Sequence, residues 1–275
     1  MARRGRHGLR HGAATDVSRT GRIIGRGLSA IARDDRRIFR SLRDYLDWLE
    51  NKDWLRRTAA PVSADYEITA LCHRSLSRHG PALFFENPTT GEMPVVGNVF
   101  GTTERVVAAL GLASLDELSA FGQQLASLRT PEIPNSVGSA VRSLATFGGL
   151  AHVNPLLDDQ PPCQEIVIEG DAVDLDLLPI QTCWPEDAGR LITFGLVVTK
   201  GPLKDRLNAG IYRQQQIGRN RLIMRWLDHR GGAIDFAEFR AAHPGKRFPV
   251  AVAIGCDPAM TLAAVAPVPD TISEF

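Results

Sequence analysis

Apolar positions in the first patterned stretch recur at helical spacing: after Ser41, a residue type that caps helices, come Leu42, Tyr45, Leu46 and Leu49. The spacing predicts a helix from Ser41 to about Asn51. A second helical stretch, Tyr66 to Arg78, is closed by Gly80 and Pro81. Two short apolar runs follow, ALFFE at 82–86 and PVVGNVF at 94–100. The turn-forming NPTTGE between them marks a pair of buried strands. Helical periodicity returns at 103–110 and 114–128. This order of helices and short strands predicts a small mixed α/β domain over residues 40–110.

The texture then changes. Pro131, Pro134, Pro155, Pro161 and Pro162 punctuate the next segment, so residues 111–162 read as a helical and Pro-rich connector with one short helix near 137–147. From Cys163 onward the runs are strand-like: QEIVIEG, ITFGLVVTK, LNAGIYRQQQIG, RLIMRWL and PVAVAIG. They are too many for one hairpin. The chain is therefore expected to be α+β, with residues 163–275 forming a barrel or a sandwich-like sheet.

Composition adds limits. With 275 residues, 44% hydrophobic and 23% charged, the chain is long enough for two domains and a sizeable core. No apolar run approaches the roughly 20 residues that cross a bilayer, and the Arg-rich start lacks the apolar core of a secretory signal. The expected compartment is the cytoplasm. Cys72, Cys163, Cys183 and Cys256 form no CxxC pair, which argues for reduced, structural thiols over a zinc ribbon or a disulfide framework.

The net charge of +1 conceals an asymmetry: residues 1–40 hold 11 Arg against 3 Asp, so the basic character belongs to the start of the chain. Residues 1–39 are poor in aromatics and are expected to form a basic, disordered or weakly helical extension. A basic arm can bind nucleic acid or anionic lipid. Without an aromatic or groove-reading element the adopted reading is a solvated extension, or a start codon placed too far upstream, with no nucleic-acid partner.

P-loop, HExxH and GxSxG signatures are missing, and GRIIGRG at 21–27 lacks the dinucleotide-binding spacing. What stands out is polar density inside the apolar strand pattern. CWPEDAG, 183–189, carries Glu186 and Asp187, which a solvated turn would also explain. In the run 208–232, Asn208, Arg213, Arg225, His229 and Arg230 interrupt packing segments. Converging guanidinium forks suit a phosphate, and outward-facing arginines on an alternating sheet are the competing reading. In AAVAPVPDTISEF, 263–275, closely spaced prolines stiffen an irregular backbone. Glu274 is a hard oxygen donor that could join the amide oxygen of Asn208 around Mg²⁺ or Mn²⁺.

LPIQTCWPEDAGRLITFGLVVTKGP, NAGIYRQQQIGRNRLIMRWLDHRGG and FPVAVAIGCDPAMTLAAVAPVPDTISE, in that order, resemble the UbiD family of 4-hydroxy-3-polyprenylbenzoate decarboxylases. The resemblance extends upstream through SLRDYLDWLE, GPALFFENP and NVFGT, and so covers about residues 41–275. It implies prenylated FMN held in a split β-barrel of the flavin-reductase type, between an α/β domain and a further C-terminal one.

On that resemblance Asn208 and Glu274 are metal ligands for Mn²⁺ (or Mg²⁺), His229 is a third candidate ligand, and K⁺ is a further candidate ion. Ile211, Tyr212, Arg213, Arg225, Trp226, Leu227, Arg230, Gly231 and Pro267 contact the cofactor, and Arg213 is also the catalytic arginine, beside the substrate carboxylate. The implied reaction is non-oxidative decarboxylation of a polyprenylated aromatic acid in ubiquinone biosynthesis. The flavin holds the electrons as CO₂ leaves, and a carboxylic acid returns a proton to the ring carbon.

The family's proton-donating acid follows its SE-aromatic motif, here Ser273–Phe275, so the barrel is expected to be incomplete and the C-terminal domain absent from this sequence. A fragment or incomplete reading frame is the expectation, and an inactive flavin and metal-phosphate binding module the alternative. Implied partners are a flavin prenyltransferase that supplies the cofactor and further copies of the chain. The greasy substrate would draw the protein to the inner membrane surface.

Overall fold

The computed structural model describes residues 37–129, 159–268 and 273–274. The helix expected near 137–147 and most of the basic arm lie outside the described residues. Phe39, inside the expected arm, is buried and stacks edge-on against Tyr45 and Trp48, with ring centroids 4.9 and 5.6 Å apart.

The N-terminal unit is built on a three-stranded sheet of β1 (Leu55–Thr58), β2 (Ala82–Phe85) and β3 (Val95–Gly97), with β1 parallel and β3 antiparallel to the central β2. Strand alternation divides its two faces. Ala82 and Phe84 pack with α1 (Leu42–Asn51), whereas Leu83 and Phe85 pack beside Ile68 of α2 (Glu67–Ser77). Both helices fall where the apolar spacing predicts them, and Ser41 caps α1 by accepting the Asp44 N–H at 3.1 Å. Helices α3 (Thr103–Ala109) and α4 (Leu115–Arg129) follow.

Residues 165–169 contradict the strand expected for QEIVIEG. They pair with nothing among the described residues, and Ile166 and Val167 are 80% and 68% exposed. The chain then makes short 3₁₀ turns at Gly170–Ala172 and Leu175–Leu177. Arg219 and Arg190 hold these turns by pairing with Asp174 and Asp176 at 3.0 and 3.1 Å. The segment 181–182 docks on the N-terminal unit, where the Thr182 hydroxyl donates to Asp65 at 2.7 Å and Tyr66 N–H to the Thr182 carbonyl at 2.9 Å.

Two further three-stranded antiparallel sheets follow, and no closed barrel forms among the described residues. One contains β4 (Leu191–Ile192), β7 (Gln214–Gly218) and β8 (Arg221–Met224); the other contains β5 (Leu196–Thr199), β6 (Asn208–Ile211) and β9 (Ala251–Ala253). The run LNAGIYRQQQIG, expected as one strand, thus splits between sheets.

The split has a definite form. Ile192 pairs with Gln214 and Leu196 with Ile211, so Thr193, Phe194 and Gly195 on one strand oppose only Tyr212 and Arg213 on the other. One extra residue is the signature of a bulge, which bends and twists a ribbon. The buried Gln214 fills the bend: its Nε2 donates to the Tyr212 carbonyl, and a Cβ on Gly195 would lie 2.4 Å from its Oε1. The two sheets are one antiparallel ribbon kinked at this point. Helix α5 (Gly231–Ala242) packs on β5 and β6, and α6 (Pro258–Ala263) follows β9.

Candidate active site

A cavity of about 450 Å³ opens where β6 runs into the kink. Its walls are β6 with Tyr212, the entry to α5, residues 264–268 after α6, and Glu274. Of the residues implicated by sequence, it gathers Asn208, Ile211, Tyr212, His229, Arg230, Gly231, Pro267 and Glu274 from separate segments. Arg213, Arg225 and Leu227 are exposed and outside that wall. Trp226 turns into an aromatic cluster, 5.7 Å from Phe236 and 6.1 Å from Phe248, with Tyr212 edge-on at 6.2 Å. On the CWPEDAG loop Glu186 is exposed and the Asp187 carboxylate accepts the Trp184 N–H at 2.9 Å, the geometry of a turn.

Hydrogen bonds set the positions of the two oxygen donors. The Glu274 carboxylate accepts the Ala209 backbone N–H at 2.9 Å, and Ser273 donates to the Leu207 carbonyl at 2.8 Å, which ties this segment to β6. Asn208, only 4% exposed, stands opposite Thr199 in the β5–β6 register and donates its amide NH₂ to the Thr199 hydroxyl at 3.1 Å. Its Oδ1 faces Gly231, where a Cβ would sit 1.9 Å away, so only glycine fits beside it. Glycine is required a second time at Gly210, where a Cβ would meet the Tyr212 ring at 2.7 Å.

The cavity is lined by groups of the kind that suit an anion and by groups of the kind that suit a hard cation. The N-terminus of α5 opens on the cavity beside Arg230. The Gly232 N–H donates to the Tyr212 hydroxyl at 3.4 Å and the Ala233 N–H to the Arg230 carbonyl at 2.9 Å, so the groups that face an anion here are the Arg230 guanidinium and the Gly231 N–H at the positive end of the helix. Asn208 Oδ1 and Glu274 are oxygen donors of the kind Mn²⁺ and Mg²⁺ take. Among the described residues no three His, Cys, Asp or Glu side chains converge on a metal, so an ion here would rest on this amide, this carboxylate, His229 and ligand oxygens. The residues present fit a phosphorylated flavin with a divalent ion.

Three features escaped the sequence pattern. Helix α5 was hidden behind DHRGG, which reads as a loop, although a Gly pair after a polar run also suits a helix N-terminus approached by a ligand. Thr199 looked like the end of an apolar strand. Asp235 lies within α5 and is fully buried.

The fold and cavity define an α+β protein with a polar cavity, lined by an amide, a carboxylate and an arginine, at the bend of a kinked antiparallel ribbon. Comparison with known proteins places it more narrowly. The 3-octaprenyl-4-hydroxybenzoate carboxy-lyase Rift-related domain matches residues 155–275, and the N-terminal domain of the same carboxy-lyase matches residues 46–125. The chain belongs to the UbiD family.

Solved structures agree. The UbiD-class enzyme HmfF from Pelotomaculum thermopropionicum, in complex with FMN, is 28% identical with a TM-score of 0.68, over 85% of this chain and 46% of that one. An evolved dimeric form of that enzyme, in complex with prFMN, is likewise 28% identical with a TM-score of 0.68, over 86% and 49%. Vanillic acid decarboxylase from Sedimentibacter hydroxybenzoicus, in its closed form, is 26% identical with a TM-score of 0.70, over 87% and 48%. The chain spans about half the length of these relatives.

Proposed function

We propose that this chain carries the cofactor- and metal-binding part of a UbiD-type decarboxylase that removes CO₂ from an aromatic acid. The carrying observation is the convergence of Asn208, Tyr212, Arg230, Gly231, Pro267 and Glu274 on one cavity at the ribbon bend. Similarity to structures holding FMN and prFMN supports the flavin assignment, and the bulged, bent ribbon is what a split β-barrel would require of its strands.

In this reading Arg230 and the α5 N-terminus hold the flavin phosphate, while Asn208, Glu274 and His229 supply ligands for Mn²⁺. Tyr212, Ile211 and Pro267 pack on the cofactor. Prenylated FMN, when bound, supplies an electron-poor centre that accepts electrons as CO₂ departs. Arg213 and Arg225, both exposed, serve the substrate carboxylate and the cofactor phosphate from the solvent side of the bend. A fixed guanidinium there orients the carboxylate by a bidentate pair.

The substrate we assign is a 4-hydroxy-3-polyprenylbenzoate of ubiquinone biosynthesis, presented at a membrane surface. No helix among the described residues is long and apolar enough to cross the membrane itself. A flavin prenyltransferase would supply the cofactor, and homo-oligomer formation fits the dimeric form of the HmfF relative.

The test is to purify the chain from cells co-expressing a flavin prenyltransferase, record the flavin absorbance, and follow labelled CO₂ from carboxyl-labelled 4-hydroxy-3-polyprenylbenzoate. Retained flavin is expected, and labelled CO₂ with it would show that this chain also carries out the decarboxylation. Flavin without CO₂ would reduce the chain to a binding module, and no flavin would overturn the assignment.

A further inference from the structure

Behind the cavity lies a buried polar chain of Asp235, Lys204 and Thr199, none of which lines the cavity itself. Asp235 of α5 is fully buried and accepts from Lys204 Nζ at 3.2 Å through Oδ1 and from the Thr199 hydroxyl at 2.7 Å through Oδ2. Thr199, 2% exposed, in turn accepts the Asn208 amide NH₂ at 3.1 Å. Burying an aspartate is costly unless each oxygen is matched by a donor, and this one is matched by a cation and a hydroxyl. The apolar strand pattern around Thr199 gives no reason for such a group.

The polarity of the chain has a consequence for the amide. An ionised carboxylate only accepts, so the single hydroxyl proton of Thr199 is committed to Asp235. The hydroxyl can then offer only a lone pair to Asn208, and only the NH₂ edge of that amide can meet it. Oδ1 is forced to the opposite side, against Gly231 on the cavity wall.

We propose that Asp235, acting through Thr199 and held by Lys204, is a positioning residue that fixes the Asn208 amide with its oxygen toward the divalent cation. The inference rests on the assignment of Asn208 as a metal ligand. It goes further by making the choice between metal-binding and metal-repelling amide orientations depend on a residue outside the cavity. Partners that orient ligands in this way typically change metal affinity by about 10- to 100-fold when removed.

Asp235→Asn is the sharpest probe, because it keeps the shape and reverses the polarity. Lys204 would hold the new amide by its oxygen, so its NH₂ would face Thr199. The Thr199 hydroxyl would then donate to Asn208, which would turn its NH₂ toward the cation. Thr199→Val breaks the relay by deletion, and Thr199→Ser preserves it.

The experiment titrates Mn²⁺ into the chain saturated with FMN and reads free Mn²⁺ by its paramagnetic resonance signal, with thermal unfolding recorded for each variant. The expected result is that Asp235→Asn and Thr199→Val weaken Mn²⁺ binding by at least about tenfold, Thr199→Ser binds within about threefold of the unmodified chain, and Asn208→Ala abolishes specific binding. A folded Asp235→Asn that binds Mn²⁺ like the unmodified chain, while Asn208→Ala does not bind, would overturn the relay and leave the metal assignment standing. Failure of the unmodified chain to bind, or full binding by Asn208→Ala, would overturn both. If Thr199→Val fails to fold, the comparison of Asp235→Asn with Thr199→Ser decides.

Discussion

Gly231 carries the strictest steric requirement at the site, since any Cβ there would collide with Asn208 Oδ1. Gly231→Ala is expected to displace the amide, weaken Mn²⁺ binding at least about tenfold and cost about 1–3 kcal/mol of stability. Equilibrium dialysis with Mn²⁺ and urea unfolding measure the two effects. Unchanged affinity would mean that Asn208 does not face the ion.

A second residue-scale effect concerns pH. Burial, with a smaller contribution from nearby Cys183, pushes the Cys72 thiol up to about 11 from its ordinary value near 9, and burial pushes the Tyr45 hydroxyl up as well. The folded chain therefore holds these protons more tightly than the unfolded chain. The contribution from Cys72 is fully present below pH 9 and is lost as pH rises through about 11. The urea midpoint should fall across that window, and Cys72→Ala should flatten the fall. A midpoint equally steep in Cys72→Ala would remove Cys72 as the cause. Iodoacetamide at neutral pH should reach exposed Cys163 before Cys72.

At the scale of elements, helices were more legible than strands. The Ser41 cap and the Leu42, Tyr45, Leu46, Leu49 stripe predict α1 because both signals are local, and Ser41→Ala should cost about 1 kcal/mol in urea unfolding while Ser41→Asp stays close to the unmodified chain. QEIVIEG has the alternation of a strand, yet Ile166 to Ile168 find no neighbour to pair with among the described residues. Pairing is a tertiary event that periodicity cannot report. LNAGIYRQQQIG failed as one strand for a related reason, because the opposing strand contributes the extra residue that bends the ribbon at Tyr212 and Arg213. Of the site, Asn208, His229 and Arg230 stood out as polar residues interrupting packing segments and Glu274 as a hard oxygen donor, whereas Gly231 came only from the family resemblance. Thr199 and Asp235 did not, since their role exists only once β5, β6 and α5 are packed together.

At the scale of the whole molecule, an α/β unit and a kinked ribbon are joined where Thr182 bonds Asp65, and the ligand cavity lies at the ribbon bend. Family membership explains why these parts occur together, and the cavity lining is the basis for the proposed flavin and metal. In the proposed site, phosphate and metal act jointly.

The most direct measurement is a flavin fluorescence titration with FMN and with riboflavin, each with and without Mn²⁺, on the unmodified chain and on Glu274→Ala. FMN should bind more tightly when Mn²⁺ is present, riboflavin should show no such gain, and Glu274→Ala should erase it. Equal binding of FMN and riboflavin, indifferent to Mn²⁺, would contradict a phosphate and metal site at this cavity.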